Sequence, residues 1–155
     1  MSRENKPLLV CIATLTRRRP KMLEALIRSW SSLKIPDKVS PVFVVIENDD
    51  EEKSKSVIQN LEPLFNKGRL TYALEKEPGI PFARNRAAQE AINISADLLL
   101  FVDDDEEVDI KWLENMIAGY RNSDAKLIGA PLRAKKPKKK FTSRQKIIQN
   151  HTLFI

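Results

Sequence analysis

The sequence predicts an α/β fold in which helices cover a mainly parallel sheet. Short apolar segments alternate along the chain with segments whose apolar residues recur at helical spacing. This order is typical of right-handed strand–helix–strand units. Three of the apolar segments are followed at once by unusual polar residues, at positions 14–19, 47–50 and 103–107. Because ligands bind at the carboxyl ends of the strands in such sheets, we expect a ligand site there.

The first half of the chain contains three predicted strands and two predicted helices. The apolar runs at residues 8–13, 42–46 and 70–74 are the predicted strands, and the first two suit burial on both faces. Pro20 is predicted to open the first helix, because proline is favoured in the first helical turn. Gly68 is predicted to end the second helix as a left-handed cap. The apolar stripes of the two helices are Leu23, Leu26, Ile27, Trp30 and Leu33, and then Val57, Ile58, Leu61 and Phe65.

The second half contains two further predicted helices and two further predicted strands. Pro81 is predicted to open an alanine-rich helix after a turn at residues 77–80. Residues 98–102 are predicted to form the fourth strand, and residues 126–130 a short fifth one. Asp109 is predicted to be the N-cap of the last helix, which buries Trp112, Leu113, Met116 and Tyr120.

The composition is that of one soluble globular domain with a basic tail. The chain has 155 residues, of which 42% are hydrophobic and 31% charged, and no apolar run reaches the ~20 residues that a membrane-spanning helix needs. The polar amino terminus is not a signal peptide, and Cys11 lies in an apolar run as a predicted buried hydrophobic residue. We therefore expect a cytoplasmic protein.

The charges are unevenly distributed along the chain. Residues 1–124 hold all 21 acids and 18 of the 27 bases, a net charge of −3, whereas the remaining 31 residues hold nine bases and no acid. We interpret the tail first as a solvated run of charge. Attraction to the inner face of an anionic membrane is the alternative. Nucleic-acid binding is disfavoured, because no aromatic residue other than Phe141 is interleaved with the bases.

Residues 103–107, here called the acidic segment, place five consecutive acids directly after a buried strand. Neighbouring carboxylates repel one another, and a divalent cation with a preference for oxygen ligands relieves that repulsion. Mg²⁺ or Mn²⁺ would use one or two carboxylates and leave positions for water and phosphate oxygens. The alternative is a solvated acidic loop that precedes the helix at Asp109.

Four segments in a fixed order resemble the nucleotide-binding half of inverting family-2 glycosyltransferases. These segments are VCIAT at residues 10–14, VVIEND at 44–49, GIPFARNRA at 79–87 and FVDDD at 101–105. Each is common alone, whereas the four together are fairly specific, and the resemblance covers about residues 8–130. It implies the GT-A fold, a Rossmann-like α/β/α sandwich with a mainly parallel central sheet, here truncated at its C-terminal side.

The resemblance also implies contacts to a nucleoside diphosphate sugar. Thr14 would lie beside the base and ribose. Glu47 occupies the place of a family aspartate that accepts a hydrogen bond from the nucleobase, which by analogy is uracil. Asp104 would face the ribose.

Phosphate and metal contacts follow from the same resemblance. Arg84 matches a basic residue near the base and phosphates, and Arg17 is a second candidate phosphate ligand. Asp103 and Asp105 are the two acids of the Asp-X-Asp motif, predicted to hold Mn²⁺ or Mg²⁺, with Asp105 binding the metal that bridges the diphosphate. Such a cation stabilises the negative charge that develops on the leaving diphosphate.

The implied enzyme transfers a sugar, UDP-linked by analogy, to an envelope glycan or a lipid-linked acceptor. Residues 1–132 would form the nucleotide-sugar-binding subdomain, and residues 133–155 the basic tail at the start of the acceptor-binding part. The family's general base is expected beyond residue 155, since no acid follows Asp124, so we expect the chain to be inactive alone. The alternative is a nucleotide- and metal-binding fragment without activity. A phosphoacceptor signalling domain is disfavoured, because its paired acids would follow the first strand, where residues 13–17 contain none.

Overall fold

The computed structural model describes residues 6–133, which contain a four-stranded parallel sheet in the order β3-β2-β1-β4 with helices on both faces. The predicted α/β class with a parallel sheet is confirmed. The elements are β1 (Leu8–Thr16), α1 (Pro20–Ser31), β2 (Val39–Glu47), α2 (Lys55–Leu61), a 3₁₀ turn (Glu62–Leu64), β3 (Arg69–Leu74), α3 (Ile80–Asn93), β4 (Leu98–Phe101) and α4 (Trp112–Arg121). No helix within residues 6–133 is long and apolar enough to cross a bilayer.

The chain divides into two compact units, Met1–Ala125 and Lys126–Ile155. All the helices and strands given above belong to the first unit. The sequence placed the end of the nucleotide-binding part at residue 132, seven positions later. Most of the basic tail lies outside the described residues, so its membrane contact stays a prediction.

The register of the sheet brings the ends of neighbouring strands together. β1 pairs with β2 from Leu8↔Val39 to Thr16↔Glu47, and with β4 from Val10↔Leu98 to Ala13↔Phe101. Because the strands are parallel, the segments after β1, β2 and β4 all leave the sheet at the same edge. We call this the carboxyl edge.

Each face of the sheet packs on its own set of helices. One core is built from large side chains and includes residues of α1, α2 and α4. In it Phe43 lies between the tilted rings of Trp30 and Phe65, at centroid distances of 5.4 and 4.9 Å. The other core lies against α3, which contributes Ala83, Ala87 and Ala91. Small alanine side chains let this helix approach the sheet closely. Cys11 is buried in this second core as predicted, and burial raises the pKa of its thiol to about 11.

Gly68 has the predicted left-handed backbone, with φ at +94°, but it does not cap a helix. Helix α2 ends at Leu61 and continues only as a 3₁₀ turn, so Gly68 instead turns the chain into β3. A Cβ atom at this position would lie 2.8 Å from the carbonyl oxygen of Pro41. The glycine is therefore required by a close approach between two backbones.

Two predictions for the second half of the chain were wrong. The last helix begins at Trp112 rather than after Asp109, whose carboxylate instead accepts a hydrogen bond from the backbone N of Lys111 at 2.9 Å. Residues 126–130 form no strand, and Leu127 is 91% exposed. A glycine inside this short segment and a proline directly after it weaken any tendency to extend a sheet.

Candidate functional site

Side-chain hydrogen bonds join the three polar segments at the carboxyl edge. Thr16, the last residue of β1, donates from Oγ1 to Asp104 Oδ2 at 2.8 Å. Arg18 donates from Nε and Nη2 to the carboxylate of Asp49 at 2.7 and 2.9 Å. The end of β1 is thus bonded to the segment after β4, and the segment after β1 is bonded to the segment after β2.

The acidic segment alternates between outward and inward side chains. Asp104 is buried and also accepts a hydrogen bond from Nη1 of Arg19 at 3.1 Å, whereas Asp103 and Asp105 are exposed. Arg19 Nη1 lies 3.8 Å from Oδ2 of Asp105 as well. The central acid therefore fixes the loop, and the two flanking carboxylates point toward solvent.

The three consecutive arginines after β1 differ in their partners. Arg18, in the left-handed region at φ +57°, forms the fork to Asp49 and holds the pKa of that carboxyl well below its usual range. Arg19 is paired with Asp104. Arg17 is exposed and has no hydrogen bond or ion pair with any described residue. It is the one of the three whose charge is uncompensated within residues 6–133.

Arg84, in the first turns of α3, lies over Phe101 at the end of β4. Its guanidinium carbon is 5.7 Å from the centroid of the ring, within the range of a cation–π contact. Arg84 forms no ion pair with the described residues, whereas nearby Arg86 is held by Glu90 at 2.7 Å and by the carbonyl of Leu74 at 3.1 Å. Of the two arginines in the segment at residues 79–87, Arg84 is therefore an uncompensated cation, whereas Arg86 has a structural role.

Glu47 is completely buried at the end of β2. Its Oε1 accepts a hydrogen bond from the Ser54 hydroxyl at 2.8 Å, and its Oε2 accepts one from the Tyr72 hydroxyl at 2.6 Å. The backbone N of Ser54 lies 3.1 and 2.9 Å from the two oxygens. Burial, together with the hydrogen bond to Glu47, raises the pKa of Tyr72. The predicted contact of Glu47 with a nucleobase stays a prediction, and it would require the carboxylate to exchange one of these partners.

Thr14 is also completely buried, and its hydroxyl has no hydrogen-bond partner among the described residues. It is paired in register with Val45 of β2, two residues before the end of β1. The contact of Thr14 with the base and ribose of a nucleotide stays a prediction. Thr16, on the same face of the strand, is the threonine that contacts the acidic segment.

A family model matches residues 10–154, and its description is Glycosyl transferase family 2. This chain belongs to that family. The succinoglycan biosynthesis protein ExoM of Rhizobium meliloti (strain 1021) is 31% identical over 130 residues, which cover 84% of this chain and 40% of ExoM. The chain thus spans less than half the length of this family-2 relative.

Solved structures similar to this family-2 chain support the same fold. S. aureus TarS 1–349 in complex with UDP matches with a TM-score of 0.61 and 17% identity, over 81% of this chain and 38% of that one. The mannosyltransferase PcManGT from Pyrobaculum calidifontis, in complex with GDP-Man and Mn²⁺, matches with a TM-score of 0.57 and 17% identity, over 77% of this chain and 33% of that one. At this level of identity the likeness concerns the fold, and it agrees with a GT-A arrangement.

The donor atoms at the carboxyl edge fit a divalent cation that is shared with a ligand. Asp103 and Asp105 offer two exposed carboxylates, which is the protein contribution that Mg²⁺ commonly uses alongside water and phosphate oxygens. Within residues 6–133, no group of three or more His, Cys, Asp or Glu side chains is placed to hold a metal ion. The arrangement therefore suits a cation completed by phosphate and does not suit a closed structural metal site.

Three residues that organise this family-2 site were given no role by sequence reasoning: Thr16, Arg19 and Asn48. Thr16 could have been found from alternation, because it lies two residues after Thr14 and therefore shares its strand face, nearer the carboxyl edge. Arg19 and Asn48 bond to residues 85 and 27–31 positions away in the chain. No local sequence signal marks such pairs.

Proposed function

We propose that this chain supplies the nucleotide-sugar donor site of a glycosyltransferase, with UDP as the nucleotide. The observation that supports this most directly is the outward pair Asp103 and Asp105 at the same edge of the sheet as two uncompensated arginines, Arg17 and Arg84. Such a combination matches a diphosphate, because phosphate oxygens bind both guanidinium groups and a carboxylate-held cation.

The proposed chemistry concerns the bond between the sugar and the diphosphate. As that bond breaks, positive charge develops on the sugar ring and negative charge on the departing diphosphate. Arg17 and Arg84 would be fixed positive charges near the phosphates, where they stabilise the developing negative charge. A divalent cation held by Asp105 and Asp103 would act there as a Lewis acid.

The nucleoside is proposed to lie against the segments that Glu47 and Asp104 hold in place. Both carboxylates are buried and bonded to protein donors. We therefore propose that they shape the surfaces around the base and ribose, with Thr14 beneath them. A direct bond from either acid to the nucleoside would need the release of one protein donor.

The relatives support the substrate class in outline. TarS 1–349 has structures in complex with UDP and with UDP-GlcNAc, and PcManGT was solved with GDP-Man and Mn²⁺. ExoM is a succinoglycan biosynthesis protein. From these we propose transfer to an envelope glycan or a lipid-linked acceptor by the enzyme to which this donor site belongs.

Calorimetric titration of UDP into the full chain, with Mn²⁺ and then with EDTA, tests the donor site. We expect binding that requires Mn²⁺ and is lost in Asp105→Asn. Asp37→Asn is the matched control, since it makes the same chemical change before β2 at the opposite end of the strands, and it should bind as the wild type does. A folded wild-type chain that binds no nucleotide with Mn²⁺ would overturn the proposal. Tighter binding of GDP than UDP would overturn only the choice of nucleotide.

A further inference from the structure

We infer that Asn48 is a positioning residue for the donor site, which sets the loop at residues 75–79 and thereby the place of Arg84. The inference rests on the proposed function. Asn48 follows β2 directly and is 7% exposed. It lies between the end of β1, to which it is bonded through its backbone, and the loop that leads into α3.

Three side-chain hydrogen bonds connect Asn48 to this loop. Its Nδ2 donates to the carbonyl oxygens of Glu75 at 3.0 Å and Glu77 at 2.6 Å, and its Oδ1 accepts from the backbone N of Gly79 at 2.8 Å. Its own backbone N donates to the carbonyl of Thr16 at 2.9 Å. One side chain therefore satisfies three backbone groups of the loop while it is itself fixed to β1.

The chemistry of this position requires a primary amide. Two of the loop groups are acceptors and one is a donor, and only a side chain with an NH₂ and a carbonyl oxygen matches all three. An aspartate of the same shape would keep the bond from Gly79 but turn a carboxylate oxygen toward two carbonyl oxygens. We therefore expect Asn48→Asp to disturb the loop more than Asn48→Ala, which removes the bonds without adding repulsion.

The loop is coupled to Arg84 through the start of α3. Gly79 is the residue before the helix, and its carbonyl accepts hydrogen bonds from the backbone N atoms of Phe82 and Ala83 at 3.1 and 3.2 Å. Its φ of +135° is open to glycine and disfavoured for other residues. Arg84 directly follows Ala83 in the helix. A displacement of Gly79 therefore moves the first turn of α3 and the guanidinium above Phe101.

A double-mutant cycle on the binding of UDP with Mn²⁺ tests this coupling. Arg84→Gln should weaken UDP binding roughly tenfold in the wild-type background, the loss expected for about 1.4 kcal/mol. Asn48→Ala should weaken it by a similar factor and Asn48→Asp by more. In either Asn48 background, Arg84→Gln should add less than about a twofold loss, since coupled residues are not additive.

The controls separate positioning from stability. Asn66→Asp makes the same chemical change at an exposed residue and should leave UDP binding unchanged. Urea unfolding identifies any variant that fails to fold. If Asn48→Asp fails to fold, the binding of UDP by Asn48→Ala still tests the inference. Wild-type affinity in folded Asn48 variants, or full additivity with Arg84→Gln, would overturn the inference alone. Absence of UDP binding in the wild type would instead overturn the proposed function, and the inference with it.

Discussion

The hydrogen bond from Tyr72 to the buried carboxylate of Glu47 makes a quantitative prediction for stability. In Tyr72→Phe the carboxylate loses its 2.6 Å bond from the hydroxyl but keeps its bonds from Ser54. A hydrogen bond to a charged group contributes about 1.5–3 kcal/mol. Because Tyr72 is itself only half-buried, we expect the free energy of unfolding to fall by about 1.5–2 kcal/mol at pH 8.

The same bond predicts a pH dependence. The pKa of Tyr72 is raised in the folded protein above its usual 10.0 by burial and by Glu47, so above about pH 10 the unfolded chain loses this proton while the folded chain keeps it. The contribution of Tyr72 to stability is complete below that pH. It then declines by up to about 1.4 kcal/mol for each pH unit. The advantage of the wild type over Tyr72→Phe should therefore shrink as the pH rises above 10.

Urea unfolding of the wild type and Tyr72→Phe at pH 8 and at pH 10.5 measures both effects. Glu47→Gln, made in each background, completes a cycle that isolates the coupling of the two side chains from other titrating groups. The reasoning fails if the two proteins differ by less than about 0.5 kcal/mol at pH 8, which is the scale of an ordinary surface substitution. It also fails if their difference is the same at both pH values.

Three further predictions concern other parts of the chain. Arg19→Gln should tighten the binding of Mn²⁺ to the nucleotide-free protein by roughly three- to tenfold, because it removes a cation that competes for the acidic segment; electron paramagnetic resonance of free Mn²⁺ measures this, and weaker binding would contradict it. Cys11 should react with a thiol reagent at pH 8 only as fast as the protein unfolds, and rapid labelling of the folded chain would be inconsistent with its burial. Gly68→Ala should lower the free energy of unfolding by more than about 1 kcal/mol, whereas Gly129→Ala, whose Cβ would meet nothing within 4 Å, should be neutral in the same denaturation assay.

β1 and β2 were predictable because burial on both faces of a strand produces a nearly continuous apolar run in the sequence. The apolar runs located all four strands, but β1 extends to Thr16 and β2 begins at Val39, beyond the predicted ends. Pairing with a neighbour of matching length lengthens each strand, and a single segment does not reveal its neighbour. Gly68 shows the same limit, since its left-handed conformation was predictable and the backbone that demands it was not.

The site was predictable as a place, and only partly as a set of contacts. Parallel topology alone brings the ends of β1, β2 and β4 to one edge. Which side chains point outward depends on pairs far apart in the chain, such as Arg19 with Asp104 or Arg18 with Asp49. The same holds for Glu47, whose partners are Ser54, directly before α2, and Tyr72 of β3. The motif at residues 44–49 identified Glu47 as a candidate site residue, whereas its complete burial is visible only in the structure.

The central place of β1 has a consequence for the kinetics of folding. Its pairing with β2 joins residues 31 positions apart, whereas its pairing with β4 joins residues 88 positions apart. The larger loop adds only about 0.9 kcal/mol to the free-energy cost of loop closure. Contacts between such distant segments nevertheless form late. Until β4 arrives, one apolar edge of β1 stays open to strands of other molecules. Losses on refolding should therefore grow with protein concentration and arise in the interval between these two pairings.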